Sequence, residues 1–356
     1  MEFHEGTYLI TGITGLLGSM TANELMHSKQ YKQGRIKITG ITRDASRARQ
    51  IFNSTEHQNL LLVESDIRDQ NDLFSAIDLP VEYIIHCASV TQSAEMVRHP
   101  VETADSIVMG THNMLELAKK LQIKSMVSLS SMEVYGRVDD IGRTRREDEL
   151  GGMEIFSSRS CYPLGKRMAE HYCYIYQQEY GIPVKIARLA QTFGKGIRPD
   201  DNRVYMQFAR AVNEGRDIIL KTAGNSMGNY CASDDAVNAV LTILYRGKDG
   251  EAYNVVNEEN TMCIREMAEL AADQAAKGQI KVKIELEDSG LTGYAPDTGL
   301  KMSGEKLQQL GWHPSKNLAE MYREVIRELK NPNIVSSTSQ YEEGYPDTSC
   351  TKNIDF

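Results

Sequence analysis

Apolar residues in the first 190 positions recur as short β-branched runs separated by stretches with helical spacing. Runs at 7–11, 36–41, 60–63, 81–86, 125–129 and 184–189 are bounded by polar residues or glycine and predict buried strands. The segments 19–28, 69–78, 103–121 and 160–180 place apolar residues three and four apart and predict helices. Strands apolar on both faces must be covered on both faces, so the alternation predicts a doubly wound parallel α/β sheet. After about residue 190 the pattern loosens. A loop rich in glycine and aspartate at 194–203 leads to a predicted helix near 204–214, and 318–330 predicts an amphipathic helix. This part reads as a smaller lobe closing over the sheet, and 331–356, polar and aperiodic, as a loosely held tail.

Composition narrows the class without altering that picture. A chain of 356 residues corresponds to about two domains at roughly 150 residues each. No run approaches the roughly 18 apolar residues of a membrane span, and the opening MEFHEGTYLI lacks the basic and apolar regions of a signal peptide. The 40 basic and 49 acidic residues give a net charge of −9, which argues against nucleic acid as a partner. Six cysteines, at 87, 161, 173, 231, 263 and 350, form no CxxC pair, so neither a disulfide framework nor a metal site is expected. The expectation is a cytoplasmic protein in a reducing compartment.

The first chemistry lies directly after the first predicted strand. Thr11-Gly12-Ile13-Thr14-Gly15-Leu16-Leu17-Gly18 opens a helix. Glycines there permit a tight turn and close approach to a pyrophosphate, and the helix N-terminus offers free N–H groups. Gly12, Thr14, Gly15, Leu16, Leu17 and Gly18 are therefore candidate dinucleotide contacts, with GxxGxxG spacing in place of GxGxxG. Asp66, after the third strand, is suited to accept from an adenine amino group, or equally to cap a helix. At the end of the second strand stands Thr42-Arg43-Asp44, where an acidic residue would bind the ribose hydroxyls of NAD. Arg43 can stack on adenine or pair with a 2′-phosphate, which leaves NADP open beside NAD.

Further on, Tyr162 and Lys166 are four apart on one helix face. An ammonium near a phenol lowers its pKa from about 10 and makes it a general base. Ser131, in Ser130-Ser131-Met132-Glu133-Val134-Tyr135-Gly136, follows the predicted strand at 125–129, where a serine at a strand's C-terminal end would face the same crevice. Singly these signals are weak; together and in this order they form a specific set.

That set resembles the extended short-chain dehydrogenase/reductases, specifically the NAD-dependent epimerase/dehydratase group acting on nucleotide sugars. The resemblance spans about 7–330 and rests on TGITGLLG, Asp66-Ile67, His86-Cys87-Ala88-Ser89, SSMEVYG, Tyr162 with Lys166, and Lys306 followed by Leu310-Gly311-Trp312-His313-Pro314. Arg159-Ser160-Cys161-Tyr162 with Gly165-Lys166-Arg167 and Ala169-Glu170 looks most like UDP-glucuronate decarboxylases. It implies a Rossmann-type dinucleotide-binding domain at 1–190 carrying the catalytic residues, and a substrate-binding lobe mostly at 191–330, interleaved with the first. Tyr162 is implied as the base, Ser131 as sharing the hydrogen bond to the reacting hydroxyl, and Lys166 as tuning Tyr162 and gripping the nicotinamide ribose. Ile67, Cys87, Ala88 and Ser89 join the implied cofactor contacts; Thr91, Ser131, Met132, Gln191 and Arg203 are the implied substrate contacts. The substrate is a nucleoside diphosphate sugar, oxidised at C4 to a ketone. Homologues of this kind pair two helices, here 103–121 and 160–180, across a dimer axis, so a homodimer is expected.

The fate of the ketone decides the enzyme. Glu133 is placed to take a proton at C5, as in dehydratases and decarboxylases, or to serve a structural salt bridge. Met132 stands where sugar 4,6-dehydratases carry an aspartic acid, and a thioether donates no proton. Asparagine is usual where Ile107 and Gln191 stand. Aligning Asn229-Tyr230-Cys231 and Asp235 with RxFxYVxD puts Gly228 at an arginine that ordinarily meets substrate phosphates or assists at the sugar. His86 reads as filling space near the cofactor. The expectation is an NAD(P)-dependent nucleotide-sugar epimerase working through a transient 4-keto sugar. The alternatives are a decarboxylase or dehydratase, or a non-catalytic NAD(P)-binding protein.

Overall fold

A computed structural model describes residues 2–53, 57–138, 140, 142–286 and 299–331. Seven strands form one sheet: β1 (Gly6–Thr11), β2 (Ile36–Thr42), β3 (Leu60–Glu64), β4 (Tyr83–His86), β5 (Ser125–Ser131), β6 (Val184–Leu189) and β7 (Ala252–Val255). All neighbours are parallel, in the spatial order β7-β6-β5-β4-β1-β2-β3. This is the Rossmann-type doubly wound arrangement. Its strand order reverses between β1 and β4, which opens a crevice at the strands' carboxyl ends.

Side-chain alternation explains why these strands read as continuously apolar. In β1, Tyr8 and Ile10 face one helical layer and Leu9 faces the other, and all three are fully buried. The Tyr8 side meets α1 (Leu16–His27) through Ala22 and Leu25. The Leu9 side meets α2 (Pro100–Leu121) and α3 (Cys161–Tyr180) through Met114, Leu117 and Cys173. These two helices lie along each other, with Gly165 of α3 facing Ile107 of α2. Pro100 opens α2, where a missing N–H is harmless.

A second core gathers Phe193, α4 (Val204–Glu214), Tyr230, Met267 and Tyr322. Around it lie a three-stranded sheet of Asn257–Cys263, Met227–Ala232 and Gln191–Phe193 and a two-stranded pair, Ile218–Leu220 with Val282–Ile284. The chain is interleaved between the cores at α5 (Ser233–Arg246) and β7. Both fall after residue 190 but pack in the large sheet's layer, through Val240, Leu244 and Val255. Asp235, at the start of α5, accepts from Ser315 N, Ser315 Oγ and Lys316 N at 2.9, 2.6 and 3.1 Å, while Trp312 Nε1 donates to its carbonyl. The late LGWHP segment is thus clamped onto α5. The chain returns to the second core in α6 (Leu318–Lys330), opened by a capping box of Asn317 and Glu320. Of the predicted tail at 331–356, all but Asn331 lies outside the described residues. No helix among the described residues is long and apolar enough to cross a membrane.

Candidate active site

The crevice begins with the turn after β1. Gly12 has φ +64°, and a Cβ there would lie 2.8 Å from the Ala88 Cα. A Cβ on Gly18 would lie 2.3 Å from the Gly12 carbonyl oxygen. Both glycines are therefore required by backbone that cannot yield. Gly15 stands at the N-cap of α1, which has no side-chain cap; its own N–H donates to the Gly12 carbonyl at 2.9 Å, so of the expected contacts Thr14, Gly15, Leu16 and Leu17 it is the first-turn N–H groups of Leu16 and Leu17 that are open to a pyrophosphate. This cradle fits a dinucleotide.

A polar chain fixes the two walls. Thr11 Oγ1 shares a 2.8 Å hydrogen bond with His86 Nδ1 and accepts one from Ala88 N at 3.1 Å. His86 Nε2 lies 3.3 Å from Thr111 Oγ1 on α2. Burial and the Lys166 charge push His86 down to about 3, so it stays neutral at physiological pH. It does more than fill space: it ties β1, β4 and α2 together. Next to it, burial pushes the Cys87 thiol up to about 12 and leaves it protonated. Ser89 donates to the Val90 carbonyl, and Thr91 lies exposed beyond it.

The adenosine end is built on β2 and β3. Asp66 is gripped by Arg68, Nη2 to Oδ2 at 2.6 Å, and that hydrogen bond holds its carboxyl below the usual range, with a smaller contribution from Arg43. Ile67 is buried beneath Gly110, where a Cβ would stand 2.6 Å from its Cδ1. Asp44 uses its carboxylate to cap the helix Ala45–Phe52, accepting from Arg47 N at 2.9 Å, and Glu64 accepts from Ala45 N at 3.0 Å. Arg43 is exposed at the strand end.

The reacting end lies where β5 meets α3. The Ser131 hydroxyl accepts from Glu133 N at 3.2 Å and sits close enough to the Tyr162 phenol to lower its pKa. Tyr162 is pushed up to about 12, first by burial and next by the Glu133 charge; Ser131, Arg159 and Arg203 oppose the rise. Lys166 Nζ donates to the Leu129 carbonyl at 2.8 Å and lies 5.8 Å from the Tyr162 ring centre; burial lowers it to about 8. The expected lowering of the Tyr162 phenol is thus outweighed in this arrangement by desolvation. Met132 is half-buried against the core of the large sheet.

Glu133 is held by Arg159, whose Nη2 donates to Oε1 at 2.8 Å. Arg159 stands three residues before Tyr162, and its guanidinium carbon lies 5.7 Å from that ring's centre. Sequence reasoning gave Arg159 no role, although it sits inside the RSCY stretch; the signal was its place one helical turn before the tyrosine. Glu170 was likewise missed: it accepts from Ser130 Oγ at 2.5 Å and pairs with buried Arg188 at 2.7 Å, fixing β5 against α3. From the second lobe, Arg203 is paired with Asp201 at 2.6 Å, and its charge reaches Tyr162. Gln191 is half-buried at the start of its short strand, beside Tyr230. At Gly228 a Cβ would meet the Tyr230 hydroxyl at 2.2 Å, so the ring of Tyr230 covers the position where an arginine would start. Among the described residues no cluster of His, Cys, Asp or Glu is arranged to hold a metal.

A glycine cradle at the switch point of a doubly wound sheet, with a tyrosine, serine and lysine converging beside it, defines a dinucleotide-dependent enzyme of the extended short-chain dehydrogenase/reductase type. The chain belongs to the NAD dependent epimerase/dehydratase family, whose model matches residues 8–256. It is 28% identical over 336 residues to UDP-glucuronic acid decarboxylase 1 of Danio rerio, covering 94% of this chain and 75% of that protein. In fold it is similar to UDP-glucose 4-epimerase of Thermotoga maritima with UDP-glucose, at a TM-score of 0.75 and 20% identity over 92% of this chain and 99% of that one. It is similar also to dTDP-glucose 4,6-dehydratase of Bacillus anthracis in complex with NAD, at a TM-score of 0.73 and 22% identity over 92% and 98%.

Proposed function

We propose that this chain oxidises a nucleoside diphosphate sugar at C4 and uses the ketone for chemistry at C5, with decarboxylation of a UDP-glucuronate-type sugar as the reaction. The observation that carries this reading is Glu133, a carboxylate held in the site by Arg159 beside Ser131 and Tyr162. Simple epimerisation at C4 has no use for it. The 28% identity to a UDP-glucuronic acid decarboxylase supports the choice of C5 reaction.

Tyr162 takes the proton of the C4 hydroxyl, and Ser131 shares that hydrogen bond. A dinucleotide held by the Gly12–Gly18 cradle and by Lys166 would supply the acceptor for the C4 hydride and its donor on return. A carboxylate one carbon from the C4 ketone leaves as carbon dioxide when the breaking bond's electron pair moves onto the ketone oxygen. That oxygen lies where the Ser131 and Tyr162 hydroxyls donate and stabilise the charge. Glu133, 37% exposed, relays from solvent the proton that takes the carboxylate's place at C5. Met132 supplies no acid for a leaving hydroxyl, which sets dehydration aside.

Transient oxidation with return of the hydride to the opposite face, a C4 epimerisation, is the second reading. It is favoured by Gly228, which removes a substrate-facing arginine while leaving Ser131, Tyr162 and Lys166 intact. Product NMR in D2O separates the two. UDP-glucuronate giving carbon dioxide and a UDP-pentose with deuterium at C5 supports decarboxylation; C4-inverted product from UDP-glucose supports epimerisation, and turnover of neither sugar overturns both.

At the adenosine ribose, Asp44 and Glu64 are both engaged in capping, which leaves Arg43 to face the 2′ position. The reading is that NAD and NADP both bind, NADP more tightly. Arg43→Glu is expected to weaken NADP about tenfold while sparing NAD, measured by titration calorimetry. A homodimer through α2 and α3 is proposed from their exposed Val101, Met109, Tyr174 and Tyr180, and light scattering tests it.

A further inference from the structure

The proposed chemistry asks two acids to be ionised side by side: the Tyr162 phenolate, as base for the C4 hydroxyl, and the Glu133 carboxylate. Like charges this close oppose each other. Among the groups packed around Tyr162, Glu133 comes from the turn Met132–Tyr135, Arg159 from the turn Ser158–Ser160, Lys166 from α3 itself and Arg203 from the start of α4. Ile107 of α2 and Met96 of the helix Ser93–Arg98 contribute only apolar surface. Lys166 directs its ammonium to the Leu129 carbonyl, and Arg203 is closed on Asp201.

Arg159 touches one of the two acids and lies near the ring of the other. Its Nη2 is 2.8 Å from Glu133 Oε1, its guanidinium carbon is 5.7 Å from the Tyr162 ring centre, and its Nη1 is buried with no hydrogen-bond partner among the described residues. A guanidinium is planar, permanently charged and able to serve two anions from two edges. A buried N–H left unused, on a guanidinium whose carbon lies 5.7 Å from a phenol ring, is costly unless a negative charge comes within its reach.

We infer that Arg159 is a positioning residue that bridges Glu133 and Tyr162, so that carboxylate and phenolate can be charged together. This rests on the reading of Tyr162 as base. The direction of the electrostatics agrees: Glu133 raises the phenol and Arg159 lowers it. If Arg159 served only to staple one turn to the other, its loss would alter stability and leave the phenol's titration where it was.

The test is a titration that needs no turnover. The full chain is produced with ring-fluorinated tyrosine, loaded with added NAD, and the Tyr162 signal is assigned in fluorine NMR by its loss in Tyr162→Phe. Arg159→Ala is expected to move the Tyr162 midpoint up by about one pH unit. Arg159→Lys is expected to recover most of that shift, and Arg159→Ala with Glu133→Gln to return it to the parent value. An unmoved midpoint in Arg159→Ala, or a double variant that stays shifted, overturns the inference. Should Arg159→Ala fail to fold, Glu133→Gln alone decides: with Arg159 kept, the midpoint must fall, and a constant midpoint sinks the idea. Failure of UDP-glucuronate to turn over would count against the proposed reaction and leave this titration to judge Arg159.

Discussion

The cofactor crevice and the core of the second lobe are built on opposite principles. Around the crevice, buried polar atoms are chained together: Thr11 to His86 to Thr111, Lys166 to the Leu129 carbonyl, Ser130 to Glu170 to Arg188. In the lobe, aromatic rings are packed together instead. Phe193 stacks on Tyr205 with centroids 4.3 Å apart and meets Tyr230 and Tyr322 edge-on at 6.0 and 5.5 Å. The hydroxyls of Tyr205, Tyr230 and Tyr322 are all buried with no hydrogen-bond partner among the described residues. A hydrogen-bond chain fixes atoms to fractions of an ångström, as transfer chemistry requires. Ring packing supplies apolar area and tolerates an unmatched hydroxyl at its edge. The first region holds the candidate catalytic groups in place, and the second gives the lobe its mass.

The largest effects therefore belong to the first region. Tyr162→Phe removes one oxygen, and turnover is expected to fall about 100- to 10,000-fold while dinucleotide affinity and melting temperature stay near the parent values. A variant retaining a tenth of the parent's kcat would show that the converging hydroxyls are not the catalytic centre. Gly18→Ala comes next. Its Cβ would stand 2.3 Å from the Gly12 carbonyl oxygen and 3.1 Å from the Ile13 Cα, both backbone atoms. Dinucleotide affinity is expected to fall more than about tenfold and stability by about 1–3 kcal/mol, read by calorimetry and urea unfolding.

That contrast also explains what could be read from the sequence. The cradle was legible because only glycine suits its backbone, and β1 and β4 because strands covered on both faces are buried throughout; β3 lies at the sheet edge with Leu61 exposed, and β5 and β6 mix in buried Ser128, Lys185 and Arg188. The ends were less so: β5 runs on to Ser131, and α1 begins at Leu16 within the glycine turn. Helix α5 was missed although a signal was there: Asp234, Asn238, Thr242 and Arg246 recur every four positions and mark a polar stripe, opposite the buried Ala236, Val237, Val240 and Leu244. Tyr162, Lys166 and Ser131 were legible as a set, whereas Arg159 lies in the short turn Ser158–Ser160 before α3, and its one-turn spacing from Tyr162 was the one sign it gave. The tyrosine cluster of the lobe comes from three separate elements, and its members have no fixed spacing.

A smaller effect tests whether the crevice's order depends on charge. Burial lowers Lys166 from the ordinary lysine value of 10.5 to about 8. Its ammonium is intact below that value and lost above it, so its grip on a ribose hydroxyl is expected to weaken several-fold as pH rises through about 8. The unliganded protein should show the reverse. Between about 8 and 10.5 the unfolded chain holds the proton and the folded one does not, so this group's contribution to stability rises with pH. Lys166→Met should abolish both trends, and a variant that keeps either one would assign the trend to another group.

The smallest effects lie in the lobe and go in the opposite direction. Gly228→Arg, the obvious restoration of a substrate-facing cation, starts from a Cβ 2.2 Å from Tyr230 Oη and 2.4 Å from its Cζ. It is expected to cost about 1–3 kcal/mol without improving binding of the nucleotide sugar. Tyr230→Phe deletes a hydroxyl that is buried and unpaired, so the folded state no longer carries a desolvated donor. Stability should hold or rise by up to about 1 kcal/mol in urea unfolding, with kcat unchanged. A loss of about 1 kcal/mol or more would mean that the hydroxyl has a partner, such as an internal water shared with Tyr205 and Tyr322. The lobe core would then be a polar network of the same kind as the crevice, and the division between positioning region and packing region would fall.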